Sequence, residues 1–257
     1  MTVSPLILTT LAGLSTGVGG LVVVLCKPTQ RLLCISAGFA GGVMLAASLA
    51  DLVPGALRFY GVYLPPFACG GALVLLLGAG MLMAALLGRL LPEEEELAAR
   101  MAGDTARTAA LRTALITGAA LLLHNFPEGV LTLFAGTADP SLGIRTTLAI
   151  ALHNIPEGVA VAVPFAYALR SRVGGAAAAL VSGFAEPAGA VLAMLFLHRW
   201  FTPGFLNGTM VMVAGFMLWV ALAQLLPSAL AGRDRLPGLL GAAAGLLGML
   251  LGIAALP

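Results

Sequence analysis

Two segments of this chain repeat one pattern of reactive residues: His124-Asn125-Phe126-Pro127-Glu128-Gly129-Val130 and His153-Asn154-Ile155-Pro156-Glu157-Gly158-Val159. On an α-helix, residues three and four apart share a face, so histidine, asparagine and glutamate of each segment project together. Each segment offers an imidazole nitrogen, an amide oxygen and a carboxylate. That donor set suits zinc, iron, manganese or cobalt, and its lack of thiolates disfavours copper(I). A lone histidine in an apolar helix is usually a packing residue. Histidine with glutamate at i+4, occurring twice, points instead to a metal. Two or three glutamates can bridge, which leaves room for a pair of adjacent ions.

The carboxylates carry an energetic argument. Of only 11 acidic residues, Asp51, Glu128, Glu157 and Glu186 fall inside long apolar runs. A carboxylate at the centre of a bilayer costs about 2.5–3.5 kcal/mol, so four ionised ones facing lipid would cost about 10 kcal/mol or more. They must face a polar interior, be protonated or be compensated by cations. No lysine or arginine lies near the middle of these runs, which leaves a bound cation as the compensating charge.

These groups sit in a chain of 257 residues that is 60% hydrophobic and only 9% charged, with a mean hydropathy of +1.04. Soluble chains carry roughly 25% charged residues. The apolar runs are continuous rather than alternating, so the fold class is an all-α integral membrane protein and not a barrel. Runs of helical length predict eight transmembrane helices near 5–25, 34–57, 63–88, 111–134, 142–169, 172–197, 205–230 and 236–256. They form one transmembrane domain over residues 1–257, with one sizeable connection, 89–112. The run Glu93 to Glu96 in that connection reads as a solvated segment and is given no site.

Eight spans alternate sides, and the basic residues then set the orientation. Lys27, Arg31, Arg89, Arg100, Arg107, Arg112, Arg170, Arg172, Arg233 and Arg235 fall on one side, and Arg58, Arg145 and Arg199 on the other. The richer side is expected to be cytoplasmic, which makes 89–112 a cytoplasmic loop and places both termini outside. No basic residue precedes Lys27, so the first apolar run is expected to be a retained helix rather than a secretory signal. The net charge of +2, without a basic patch, gives no support to nucleic-acid binding. Cys26, Cys34 and Cys69 form no CxxC pair and read as small apolar fillers.

Because the two motifs lie in consecutive spans, they run antiparallel. His124 and His153 are similarly far from the connection between them, so both clusters reach one depth at 1.5 Å per residue. A weaker echo links Ala50-Asp51-Leu52-Val53-Pro54-Gly55-Ala56-Leu57 of the second span with Ala223-Gln224-Leu225-Leu226-Pro227-Ser228-Ala229-Leu230 of the seventh. Oppositely directed echoes are expected of an inverted pseudo-repeat, which in transporters sets the substrate site near mid-membrane. Pro127 and Pro156 cannot donate to the carbonyls of Leu123 and Leu152, which predicts loosened helices beside the site. Gly129 and Gly158 leave room for an ion or a neighbouring helix, and Gly38 and Gly42 for close helix packing.

At these residues the chain resembles the ZIP (Zrt/Irt-like) family of divalent metal transporters and, within it, the bacterial zinc-uptake permeases of broad metal range. The resemblance spans essentially the whole length: eight spans, HNxPEG in the fourth and fifth, and Ser182-Gly183-Phe184-Ala185-Glu186 in the sixth. It implies the ZIP fold, with an inner bundle of spans one, four, five and six moving like an elevator against a scaffold of spans two, three, seven and eight. It also implies a binuclear site. One ion would be held by His124, Glu128, His153 and Glu157, and a second shared by Asn125, Glu128, Asn154, Glu157 and Glu186. Met44 matches a position that gives a thioether ligand in some members, although packing explains it as well.

The chain departs from the family at accessory positions. Gln224 stands where related bacterial members carry an acid near the cytoplasmic end of the seventh span, and Asp51 where a glutamate is common. The histidine-rich stretch of many eukaryotic members is missing from the third connection. The expected activity is uptake of Zn2+, with Fe2+, Mn2+, Co2+ and Cd2+ as further candidates, through a multi-pass protein of the inner (plasma) membrane. The metal is the bound substrate and no catalytic cofactor is expected. The expected partners are divalent ions and the bilayer, with a homodimer left open. An intramembrane metalloenzyme or an ion channel is the alternative. The former is disfavoured because neither HExxH nor a Ser/His/Asp set occurs among three histidines.

Overall fold

The computed structural model describes residues 4–27, 29–90, 99, 103–197, 202–231 and 234–255. Among the described residues eight helices are long and apolar enough to cross a membrane: α1 (Pro5–Leu25), α2 (Gln30–Tyr60), α3 (Pro66–Leu90), α4 (Thr105–Ala138), α5 (Pro140–Leu169), α6 (Arg172–Phe196), α7 (Pro203–Leu230) and α8 (Leu236–Ala255). The protein is therefore an all-α, multi-pass membrane protein. A helix in lipid must satisfy its own backbone, so spans start and stop at polar caps. Thr29, Asp104, Asp139, Ser171 and Thr202 each accept a backbone N–H at the start of their helix.

The Asp104 cap starts α4 at Thr105 rather than near 111, so the end of the expected 89–112 loop is already helical. Residues Arg100, His198, Arg199, Arg233 and the run Glu93 to Glu96 lie outside the described residues. Cys34 and Cys69 are buried, whereas Cys26 is exposed in the connection after α1 and fills no core.

Helices α1, α4, α5 and α6 pack on one another, with α5 against each of the other three. Beside them α2 packs along α8 and α3 along α7, with further contacts between α2 and α7. A Cβ on Gly38 or Gly42 would run into the backbone of Gly238 or Ala242, which accounts for the close approach of α2 to α8. The largest apolar cluster lies where the two groups meet. It joins Ala40, Val43, Met44 and Ala47 of α2 and Met217, Val220 and Ala221 of α7 to Ala120 and Leu121 of α4 and Ala160 and Val161 of α5.

The prolines act elsewhere than expected. Pro127 and Pro156 sit inside uninterrupted α-helices. Widened π-turns occur instead at Ala47–Leu52, just before Pro54, and at Ala221–Leu225, just before Pro227, with another at Ala193–Leu197. The carbonyls four residues before Pro54 and Pro227 belong to Ala50 and Ala223, inside those π-turns. One extra residue per turn relieves the clash of the ring with that carbonyl. Asp51 and Gln224, the two positions expected to be accessory, both lie in these turns.

Candidate metal centre

The antiparallel arrangement of α4 and α5 brings the two motifs face to face. His124 Nε2 lies 3.3 Å from Glu128 Oε1 of its own helix and 3.3 Å from Glu157 Oε1 of α5. His153 Nε2 lies 3.0 Å from Glu128 Oε1. Donor atoms of His124, Glu128 and His153 all fall within 4.8 Å of one another. Zinc binds nitrogen and oxygen at about 2.0–2.2 Å, so two ligands on one tetrahedral ion stand roughly 3.3 Å apart. The histidine-to-glutamate separations therefore match the edges of a coordination tetrahedron.

Burial removes the cheaper alternative of hydration. His124, Asn125, Glu128, His153, Asn154, Glu157 and Glu186 are all buried, with Asn125, Asn154, Glu157 and Glu186 fully so. Several acceptor atoms have no hydrogen-bond partner: Glu128 Oε2, both oxygens of Glu157, Glu186 Oε2, and Oδ1 of Asn125 and Asn154. Buried acceptors left without a donor are costly, and a cation satisfies many at once.

The asparagine oxygens are aimed by their nitrogens. Asn125 Nδ2 donates to the Ser182 carbonyl of α6 at 3.1 Å, and Asn154 Nδ2 to the Ala12 carbonyl of α1 at 3.1 Å. Rotating either amide would set two oxygens against each other, so each Oδ1 is held away from its helix neighbour. Asn154 Nδ2 also donates to Glu186 Oε1, which ties the carboxylate of α6 to the cluster. The glycines that follow the glutamates make these contacts feasible. A Cβ on Gly129 would overlap the Glu186 backbone, and one on Gly158 the Thr16 backbone. Both glycines thus admit a neighbouring helix.

Asp51 is half-buried and lines a cavity of about 90 Å³ with Leu152, His153, Met249 and Ile253. The Asp51 carboxylate, expected to be accessory, and His153 of the cluster thus border one cavity. Gln224 lines neither this cavity nor the cluster. Met44, 2% exposed, is packed within the apolar cluster described above. Sequence reading missed Thr16, whose fully buried hydroxyl has no hydrogen-bond partner, and the Ala12 and Ser182 carbonyls.

The family model for the ZIP Zinc transporter matches residues 90–256, which takes in both motifs and the last five spans. The chain belongs to the ZIP zinc-transporter family. Curated relatives agree along nearly the whole of this ZIP chain. A "Zinc transporter ZupT" of Corynebacterium efficiens is 39% identical over 234 residues, covering 87% of this chain and 86% of the relative. The protein of the same name from Corynebacterium glutamicum is 37% identical over 254 residues, 96% of both. That of Akkermansia muciniphila is 36% identical over 251 residues, covering 94% and 93%.

Proposed function

We propose that this chain carries zinc and related divalent ions into the cytoplasm across the plasma membrane, through the cluster between α4 and α5. Divalent metal-ion transport is the activity of its family, and the relatives' name makes zinc the leading substrate. The observation that carries the reading is the set of histidine-to-glutamate distances of 3.0–3.3 Å in a buried group of nitrogen and oxygen donors.

His124, Glu128, His153 and Glu157 hold one ion. Asn125, Asn154 and Glu186 hold a second, which shares Glu128 and Glu157 as bridges. Bridging makes two cations share each carboxylate, and their mutual repulsion weakens the hold on each, so an ion arriving at one position promotes release of the other. Without thiolates the bonds are weak enough to release their ion, which a carrier requires. Asp51 receives the ion at the outer mouth and passes it through its cavity to His153. The apolar interface between the two helix groups, made largely of alanine, valine and methionine, offers a surface along which α1, α4, α5 and α6 can slide against the rest.

The excess of basic residues in the connections on one side supports an orientation with both termini outside the cytoplasm. In a cysteine-free background, a cysteine at Arg89 should then react only with a cytoplasmic reagent, and one at Arg58 only with an external one. The reverse pattern would invert the topology. For the transport itself, the test is metal flux into proteoliposomes with zinc, cadmium, iron(II), cobalt and manganese in competition. Saturable zinc uptake that the others inhibit supports the reading, and a chain that binds zinc without moving it contradicts it.

A further inference from the structure

A second polar cavity lies far from the metal cluster, at the ends of the spans that the basic bias assigns to the cytoplasm. It measures about 380 Å³ and is lined by Lys27, Asp104, Arg107, Tyr167, Arg170 and Arg172. Four cations face one carboxylate, and they come from four places: the connection after α1, the start of α4, the end of α5 and the start of α6. We propose that this cavity binds the phosphate of an anionic phospholipid headgroup. The proposal is independent of the reading of the metal centre.

Three features separate it from a general excess of basic residues at a membrane surface. First, two of the guanidinium groups are pre-oriented. Arg107 donates from Nε and Nη2 to the Ala168 carbonyl at 2.9 and 2.7 Å, and Arg172 donates from Nη1 to the Val24 carbonyl at 3.1 Å. These bonds fix the arginines at the ends of α5 and α1 without neutralising their charge, and a planar guanidinium held in place is well suited to phosphate.

Second, Arg170 ends α5 with φ 52° and ψ 32°, and it is the one non-glycine residue with positive φ among the described residues. Glycine is the unstrained choice there, and this chain uses 33 glycines. A side chain is kept at a position where the backbone favours none. Its Nη2 stands 4.0 Å from Asp104 Oδ2, an exposed contact too loose to hold it.

Third, apolar side chains stand beside the cations: Leu25 is 82% exposed, Val173 77% and Leu169 45%. They lie within two residues of Lys27, Arg170 and Arg172 along the chain, so acyl chains would find an apolar wall next to the polar cavity. A lipid satisfies both requirements, whereas free phosphate uses only one. Anionic lipids also give the cytoplasmic leaflet its negative surface potential.

The test titrates the purified full-length protein with phosphatidylglycerol and, separately, with phosphatidylcholine, reading bound lipid by native mass spectrometry. Lys27→Gln/Arg170→Gln spares Arg107 and Arg172, whose guanidinium groups donate to helix-end carbonyls. At about fivefold per cation near an anionic headgroup, it should weaken phosphatidylglycerol binding roughly 30-fold. Arg31→Gln/Arg89→Gln removes the same charge elsewhere and should change it less than about twofold if the effect is local. Arg170→Gly separates structure from binding: it relieves the backbone, so it should melt no lower than the parent in neutral detergent, yet bind phosphatidylglycerol more weakly.

Equal losses in the two double variants, or equal binding of the two lipids, would overturn the proposal. Excess inorganic phosphate should fail to displace the lipid, and complete displacement would reassign the cavity to a soluble anion. The acidic run offers an internal competitor, so Glu93, Glu94, Glu95 and Glu96 are also changed together to glutamine. Lipid binding that appears only in that variant would give the cavity to the chain's own carboxylates and refute the lipid.

Discussion

The two halves of the candidate metal centre are built alike and finished differently. In one half α4 leans on α6: Asn125 donates to the Ser182 carbonyl, and Gly129 admits the backbone of Glu186. In the other α5 leans on α1: Asn154 donates to the Ala12 carbonyl, and Gly158 admits the backbone of Thr16. Ser182 and Glu186 are four residues apart, as are Ala12 and Thr16. Glu186 and Thr16 therefore occupy corresponding places, and only one of them carries a carboxyl group. Several hydroxyls in these helices bond to a carbonyl of the preceding turn, as Thr9, Ser15, Thr137 and Thr147 do, whereas the buried hydroxyls of Thr117, Thr132 and Ser182 have no hydrogen-bond partner. Thr16 has none either, and the Ala12 carbonyl one turn before it already accepts from Ser15 and Asn154. The duplicated scaffold positions a symmetric pair of glutamates, and a single substitution between halves places the third carboxylate on one side.

The largest effect should come from the shared pair. Glu128→Gln and Glu157→Gln each keep the side-chain shape but remove a carboxylate that both ions of the proposed site would use. Zinc flux in proteoliposomes should fall at least about 100-fold in each, equivalent to roughly 2.8 kcal/mol. Near-normal uptake by either would place the site elsewhere. The corresponding pair comes next. On the proposed two-ion site Glu186→Gln would affect only the second ion and should reduce flux roughly tenfold, about 1.4 kcal/mol, while Thr16→Val should cost less than about twofold. Similar losses in the two would show that the halves work as equals and that the Thr16 hydroxyl is itself a ligand.

A smaller effect concerns selectivity. His153→Asp exchanges an imidazole nitrogen for an oxygen, and manganese accepts oxygen donors more readily than zinc does. The ratio of zinc to manganese uptake in competition should shift about fivefold or more toward manganese, about 1 kcal/mol. An unchanged ratio would make His153 a packing residue. The smallest difference should separate the two glycines. Gly129→Ala and Gly158→Ala each push a methyl group into backbone of the adjacent helix, at about 1–3 kcal/mol of overpacking. Thermal unfolding in detergent should drop by similar amounts in both, and tolerance of only one would mean that α1 and α6 are not equivalently seated.

Much of this was legible beforehand. The helical spacing of His124, Asn125 and Glu128, and of His153, Asn154 and Glu157, placed each donor set on one face, and continuous apolar runs gave the spans close to their observed limits. Three things were not. The partners of Asn125 and Asn154 are backbone carbonyls, which every residue possesses and no sequence pattern marks. The likeness of Thr16 to Glu186 exists only in space, since the two side chains share no chemistry. The prolines misled because an X-Pro step reads the same everywhere. The helices run unbroken through Pro127 and Pro156, and the turn widens instead before Pro54 and Pro227.

The central claim is that the carboxylates shared between the halves are the path of the metal. It is tested most directly by measuring zinc bound per chain and zinc flux on the same preparations of the wild type and of Glu128→Gln/Glu157→Gln, each shown to be folded by its helical circular dichroism. The account predicts that the wild type binds zinc at the cluster and transports it, and that the double variant does neither. A double variant that still moves zinc at a rate close to that of the wild type would contradict it.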